Sequence, residues 1–219
     1  MARPRAADHG AKREGLLRAA ARLFAEHGYD RTSLAMIAES CGVSKALFYH
    51  YYRDKVTLLG DIIREHLQVL DRSLAEADDP TLEPEARLRL LVGVLLANYR
   101  DADAEHQVQV AHLRLLPPEV QDELRGLERV LVRRFAAVVD GLAPGLDRAT
   151  SMPLTMSLFG MANWMFLWWR EDGPMDREAY AAMVAALVAS GAKELRARAA
   201  PAEAPSRSAK RIATARSRR

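Results

Sequence analysis

The residues best suited to chemistry crowd into one stretch, Val43 to Lys55, which reads VSKALFYHYYRDK. Its middle, Phe48-Tyr49-His50-Tyr51-Tyr52, is almost wholly aromatic in a chain that is 6% aromatic overall, and Lys45, Arg53 and Lys55 bracket it. Phenols and ammonium groups at this density suit a polyanion, because both donate hydrogen bonds to phosphate oxygens and lysine also suits guanine acceptors. Helical spacing divides the knot. Phe48 and Tyr52, four residues apart, share an inner face with Leu34, Ile37, Ala38 and Val43, whereas Lys45, Leu47 and Tyr49 fall outward. One short helix is thus expected to brace a small core and to meet DNA. Rings serving only as core are the better reading for Phe48 and Tyr52; the polar tips of Tyr49 and Tyr51 argue for contact with a partner.

Other chemistries find little support. His9, His27, His50, His66, His106 and His112 lack paired metal-ligand spacing, and His106 and His112, six apart, do not share a helix face. No P-loop, dinucleotide fingerprint or nucleophile elbow occurs, and carboxylates such as Glu119, Asp122 and Glu123 sit in solvated patterns. No metal, no cofactor and no catalytic residue is expected. Cys41 is the single cysteine, which excludes an internal disulfide and fits a reducing compartment. The charged N-terminus lacks the apolar run of a signal peptide, so a cytoplasmic protein is expected.

The elements that must position the knot are all helical. Apolar residues recur at helical spacing nearly throughout and no alternating stretch suggests a strand, so the expected fold is all-α, with about nine helices. Leu16, Leu17, Ala20, Leu23 and Phe24 form one stripe closed by Gly28. Ser33 caps a second helix that Gly42 breaks, Ser44 caps a third, and a long fourth over 56–78 turns Leu58, Leu59, Ile62, Ile63 and Leu67 inward. Residues 1–60 are expected to form a helix-turn-helix domain, linked through that fourth helix and a hinge at Asp78-Asp79-Pro80 to a helical body over 80–199. In the body, helical patterns run from Pro84 to Tyr99, from Val108 to Leu116, from Pro118 to Leu142, from Pro153 to Arg170 and from Arg177 to Arg198. From Ala149 to Trp169 no side chain is charged, but Pro153, Thr155, Ser157 and Asn163 interrupt the run and no second span exists, which argues against a membrane helix. A helix apolar all round is one buried on every side, in a core or between chains.

Charge follows the same division. Residues 1–60 hold ten Lys and Arg against six Asp and Glu, 61–199 hold sixteen against twenty-two, and 200–219 hold six against one. Both ends are basic and the middle acidic, as in a chain that meets a polyanion at one end. The stretch 200–219 is low-complexity and proline-spaced, and a disordered basic tail is expected there.

Two short helices joined by a glycine-containing turn have the length of a helix-turn-helix. Arg31-Thr32-Ser33, Ile37-Ala38, Gly42-Val43-Ser44-Lys45 and Phe48-Tyr49-His50-Tyr51-Tyr52, followed by Lys55 and Leu58, resemble in order and spacing the DNA-binding head of the tetracycline-repressor (TetR) family. Cys41 stands where alanine is usual there, Phe48 where leucine is, and Tyr52 where phenylalanine is. The resemblance implies a double-stranded DNA operator as partner, with Lys45, Ala46 and Leu47 toward base edges, Tyr49 on a base methyl or phosphate, and Tyr51, Lys55 and Ser33 on phosphates. Thr32, Ser44 and His50 complete the implied DNA-binding set. It also implies a helical body that dimerises and holds a ligand, hence a transcriptional repressor released by an effector. The last two helices are expected to form the homodimer, because Ser157, Gly160, Ala162, Ala181, Ala182, Ala185, Ala189 and Gly191 permit close approach.

The effector has a less distinct trace. Tyr99, His112, Phe159, Asn163, Trp164, Phe166, Trp168 and Arg170 offer aromatic walls with few polar groups, the makeup of a pocket for a hydrophobic ligand, although such a stripe also serves as plain core. The segment FGMANWMFLWWREDGPMDREAY resembles the acyl-CoA-responsive branch of the same family, which implies that Trp164 and Trp168 approach the ligand and that Arg170 grips a phosphate or thioester-linked head group. Acyl-CoA or phenylacetyl-CoA thioesters are the first candidates, and a hydrophobic drug is the alternative. A ligand-independent structural DNA-binding protein is the remaining reading.

Overall fold

The computed structural model describes residues 4–170 and 172–199, with side chains from residue 10 onward; the expected basic tail over 200–219 lies outside the described residues. Among the described residues there are nine α-helices and no strand: α1 Pro4–His27, α2 Leu34–Ser40, α3 Lys45–Tyr51, α4 Lys55–Ala77, α5 Pro84–Asp101, α6 Asp103–His112, α7 Pro118–Leu142, α8 Arg148–Asn163 and α9 Arg177–Ala199. Two 3₁₀ turns, Leu113–Leu115 and Met165–Leu167, follow α6 and α8.

Local signals set the head. Gly28 closes α1 at φ +84°, its N–H donating to the Phe24 carbonyl at 3.0 Å, a left-handed cap open to glycine at no steric cost. Gly42, at φ +64°, makes the turn between α2 and α3. The Ser33 and Ser44 hydroxyls accept from the N–H groups of Met36 and Leu47, each at 3.2 Å, and Asp54 accepts from Thr57 at 2.7 Å, so α2, α3 and α4 all begin on a side-chain cap. Phe24, Leu34, Ile37, Ala38, Phe48, Tyr52 and Leu58 are buried together beneath them.

α4 joins head to body through polar ties as well as packing. Asp61 accepts from Arg13 of α1 at 2.7 Å and from the Tyr52 hydroxyl at 3.1 Å, and it pairs with Arg64, which also grips Glu123 of α7 at 2.7 Å. At its far end Asp78 accepts from Arg87 of α5 at 2.6 and 2.9 Å and from Arg134 of α7 at 3.2 Å. The expected hinge therefore begins at a residue held by two guanidinium groups. α5, α7, α8 and α9 enclose the body core of Leu91, Leu95, Phe135, Val138, Leu158, Tyr180, Val184 and Val188.

Three boundaries differ from the sequence reading by five residues or more, two for a local reason and the third for a tertiary one. α6 begins at Asp103 instead of Val108, because the chain breaks once at Ala102 (φ −136°, ψ 39°) and the acidic Asp103 and Glu105 favour a helix start. α8 begins at Arg148, five residues before Pro153: Asp147 accepts from the Thr150 N–H and hydroxyl at 3.0 and 2.9 Å, and Pro153 is carried within the helix. The same helix ends at Asn163 and does not reach Arg170. His106 Nε2 stands 3.1 Å from the Asn163 carbonyl, while the Leu167 N–H turns to the Trp164 carbonyl at 3.2 Å, so a tertiary bond takes the acceptor that another helical turn would need. No helix among the described residues is long and apolar enough to cross a membrane.

Candidate nucleic-acid interface and effector cavity

α3 has one buried side chain, Phe48, whose ring lies 6.2 Å from that of Tyr52. With Phe48 fixed inward, helix geometry turns Lys45, Ala46, Leu47, Tyr49 and His50 outward, and all five are exposed, Leu47 by 43% and Tyr49 by 45%. Large apolar side chains left in water beside an ammonium and a phenol make a surface matched to base edges and thymine methyls. Tyr51 is half-buried against the head core. Tyr52 is buried, and that burial, reinforced by Asp61, raises its phenol pKa, so it stays a neutral donor.

The remaining residues of the DNA-binding set split into caps and braces. Ser33 and Ser44 are exposed at helix N-termini, where their hydroxyls already accept backbone N–H groups. Thr32 is buried, its hydroxyl 2.9 Å from the Gly28 carbonyl and 3.1 Å from that of Leu23. Lys55 donates to the carbonyls of Tyr29 and Asp30 at 2.8 and 3.3 Å and lies 4.5 Å over the Tyr29 ring. Both hold the turn after α1, one from inside and one from its rim.

The expected ligand residues do not gather in one place. Tyr99 and Asn163 meet, the buried phenol donating to Asn163 Oδ1 at 2.8 Å. Phe159 packs edge-on to Phe135 with ring centres 5.2 Å apart, inside the body core. His112 stands 5.8 Å from the Tyr29 ring, at the junction of head and body. Trp164 stacks on half-buried Phe166 at 6.2 Å and is 52% exposed; Trp168, beside Tyr180 at 5.2 Å, is 54% exposed. Arg170 is exposed and pairs with Asp172 at 3.2 Å. The turn after Asn163 sends the two tryptophans and the arginine to the surface, where an unbroken helix would have kept a single stripe.

Two histidines absent from the expected set occupy the interior. His106 stacks on Tyr99 with centres 3.9 Å apart, meets Phe166 edge-on at 5.9 Å, and lies 5.8 Å from His66. Burial lowers the pKa of both imidazoles, that of His66 to about 3, where His106 adds to the effect. The Asn163 carbonyl can only accept, so neutral His106 carries its proton on Nε2. His106 Nδ1 and His66 Nε2 are buried without a hydrogen-bond partner. Spacing held a clue to one of them: His66 lies four residues after Ile62 and four before Leu70, on the buried stripe of α4. His66 also lines a cavity of about 240 Å³ between α1, α4, α5 and α6. No group of three or more His, Cys, Asp or Glu among the described residues is arranged to hold a metal ion.

Comparison with known proteins agrees with this architecture. Residues 16–62 match the family of bacterial regulatory proteins of the tetR type, and residues 81–192 match the tetracyclin repressor-like C-terminal domain. The transcriptional repressor KstR2 of Mycolicibacterium smegmatis is 25% identical over 190 residues, which cover 82% of this chain and 90% of that protein. A TetR-family regulator from Bordetella parapertussis superposes with a TM-score of 0.75 at 29% identity, over 80% of this chain and 93% of the other. AibR, solved in complex with isovaleryl coenzyme A and operator DNA, shares the fold with a TM-score of 0.69 at 22% identity, over 82% and 97% of the two chains.

Proposed function

The chain belongs to the tetR family of bacterial DNA-binding transcriptional regulators, and from that premise we propose that it is a dimeric repressor, released from an inverted-repeat operator by a small-molecule effector. The observation that carries the reading is the opposite fate of neighbours on α3: Phe48 is buried while Leu47 and Tyr49 stand in water beside Lys45. In this reading α3 lies in the major groove, with Lys45, Ala46, Leu47 and Tyr49 toward base edges and Ser33, Ser44, His50 and Tyr51 beside phosphates. Thr32 and Lys55 act one step back, by holding the turn that aims α2.

One head makes too few contacts for specific regulation, so two are needed, about 34 Å apart on the duplex or a multiple of it. An apolar face supports the dimer: Met156 and Trp164 at α8, Leu167 and Trp168 in the turn after it, and Met183 and Leu187 on α9 are all exposed. Isolated chains seldom leave so many large apolar groups together in water, and two copies packed through α8 and α9 bury them.

The effector acts by preferring a body conformation in which the heads are wrongly spaced, and its effect is limited by its differential affinity for the two states. α4, tied to α1 at Asp61 and to α5 and α7 at Asp78, is the bar that transmits the change. Support for a coenzyme A thioester lies in the resemblance of the segment 159–180 to the acyl-CoA-responsive branch and in the likeness of the fold to AibR, solved with isovaleryl coenzyme A. The compartment that fits a DNA-bound regulator with one free cysteine is the cytoplasm. Footprinting the purified chain on DNA flanking its own gene tests the repressor reading: protection of two symmetric half-sites is expected, and uniform protection without a preferred site overturns it.

A further inference from the structure

The cavity under His66 holds a polar group without a partner. Its floor is apolar, from Leu17 of α1, Ile62 and Val69 of α4 and Ala102 ahead of α6. Into that floor is set His66, 4% exposed, with Nε2 lacking any hydrogen-bond partner. Burial keeps the imidazole neutral, so it adds no positive charge. In the wall stands Glu105, a half-buried carboxylate that forms no ion pair among the described residues; burial raises its pKa, and a backbone hydrogen bond, with Arg18 and Arg22 at a distance, offsets this only in part.

The rest of the rim carries both signs of charge. Glu65 is engaged by Arg13 and Arg72 at 3.5 and 3.2 Å, and Asp101 by Arg100 at 2.8 Å, while Glu14 adds a further carboxylate. Against these the lining offers the guanidinium groups of Arg18 and Arg72. With the arginines that grip Glu65 and Asp101 counted, the carboxylates and guanidiniums of the rim balance, so Glu105 decides the sign: a cation finds there a carboxylate without an ion pair, and an anion is repelled by it. Volume sets the size: an apolar cavity of about 150 Å³ holds a benzene ring, so this one takes a ring and a short side chain.

We propose that this cavity binds a small organic amine, an apolar ring or short chain bearing an ammonium group that pairs with Glu105 and donates to His66. The walls give such a ligand a route to the DNA-binding head. Leu17, Arg18 and Glu14 belong to α1, whereas the facing residues belong to α4, α5 and the start of α6, so an occupant bridges head and body. Its role as effector rests on the repressor reading above; its binding does not.

Calorimetry on the full chain with three probes of one shape tests the site: 2-phenylethylamine (cationic), 2-phenylethanol (neutral) and phenylacetate (anionic). The amine is expected to bind with Kd of about 1 mM or below, about tenfold or more tighter than the alcohol, and phenylacetate not to bind. Glu105→Gln should weaken the amine about tenfold and leave the alcohol unchanged. Val69→Trp, at a partly exposed position, should close the cavity to both. Absence of amine binding, tighter binding of phenylacetate, or amine binding unchanged in both variants overturns the proposal. Fluorescence anisotropy of labelled operator separates the two readings. A chain that binds operator but no amine loses the cavity proposal alone; one that binds amine but no operator loses the repressor reading; amine bound without release of operator removes the effector role.

Discussion

Replacing Phe48 and Tyr49 in turn by alanine sets two adjacent side chains against each other. Phe48 is fully buried, and a buried Phe→Ala change costs about 3–5 kcal/mol, a large share of the roughly 5–15 kcal/mol that holds a domain folded. Tyr49 is 45% exposed. A tyrosine carries about 200 Å² of burial surface, so close to half of it is covered, an upper bound of about 2–3 kcal/mol at 25 cal/mol per Å². Alanine's own contacts and its better helix propensity recover part of that, leaving roughly 1 kcal/mol. At about 2–4 °C per kcal/mol for a chain of this size, thermal melts followed by circular dichroism should fall by about 6–20 °C for Phe48→Ala and by less than about 4 °C for Tyr49→Ala. Operator binding should show the other half of the contrast. Tyr49→Ala loses about 1–3 kcal/mol per head, which a two-headed dimer counts twice, so anisotropy titrations should weaken at least about thirtyfold with the fold intact. Wild-type operator affinity in Tyr49→Ala, or a melt as depressed as that of Phe48→Ala, would refute the assignment of inner and outer faces on α3.

Leu187→Glu, in the exposed apolar face of α9, should convert a dimer into monomers in sedimentation velocity, because a carboxylate facing its own symmetry mate cannot be desolvated; an unchanged dimer would put the interface elsewhere. Asp78 is held below its ordinary pKa of 3.8, first by its hydrogen bonds to Arg87 and then by Arg134. Its contribution to stability is therefore complete above the unfolded value and disappears as pH falls through the lower folded one, and Asp78→Asn should remove that part of the acid sensitivity in urea titrations below about pH 4. An identical pH profile in wild type and variant would mean that the two guanidinium contacts carry no linkage. A chain ending at Ala200 lacks Arg207, Lys210, Arg211, Arg216, Arg218 and Arg219; it should bind random DNA more weakly, with a shallower slope of log affinity against log salt, and an unchanged slope would make the tail a bystander.

The head was legible because its signals are local. Ser33, Gly42 and Ser44 each act within three or four residues, and the alternation of Phe48 and Tyr52 with Leu47 and Tyr49 follows from helix geometry alone, so these caps, the turn and the faces could be read without neighbours. Seven of the nine described helices, all but α6 and α8, were legible for the same reason. The start of α8 was written in Asp147 and Thr150 but hidden by the stronger mark of Pro153. Thr32 and Lys55 read as surface residues beside a DNA-binding helix; only the folded turn shows that their donors face backbone carbonyls.

The body's interior was decided by contacts between residues far apart in the chain. Asn163 stops α8 because Tyr99, 64 positions earlier, takes its side chain and His106, 57 positions earlier, takes its carbonyl. That single arrest turns Trp164, Trp168 and Arg170 outward, where the resemblance to the acyl-CoA-responsive branch had set them beside an effector. His66 and His106 carried no mark of special chemistry as sequence, since a histidine on an apolar stripe is known only by what surrounds it. Their neutral charge and unpartnered nitrogens arise from the packing of α1, α4, α5 and α6, a low-dielectric enclosure that no one helix contains. The sequence by itself determined the all-helical class, the inner and outer faces of α3 and the family, all properties of short-range order. The cavity, with its buried histidine and half-buried glutamate, came from desolvation and packing that exist only once the four helices meet.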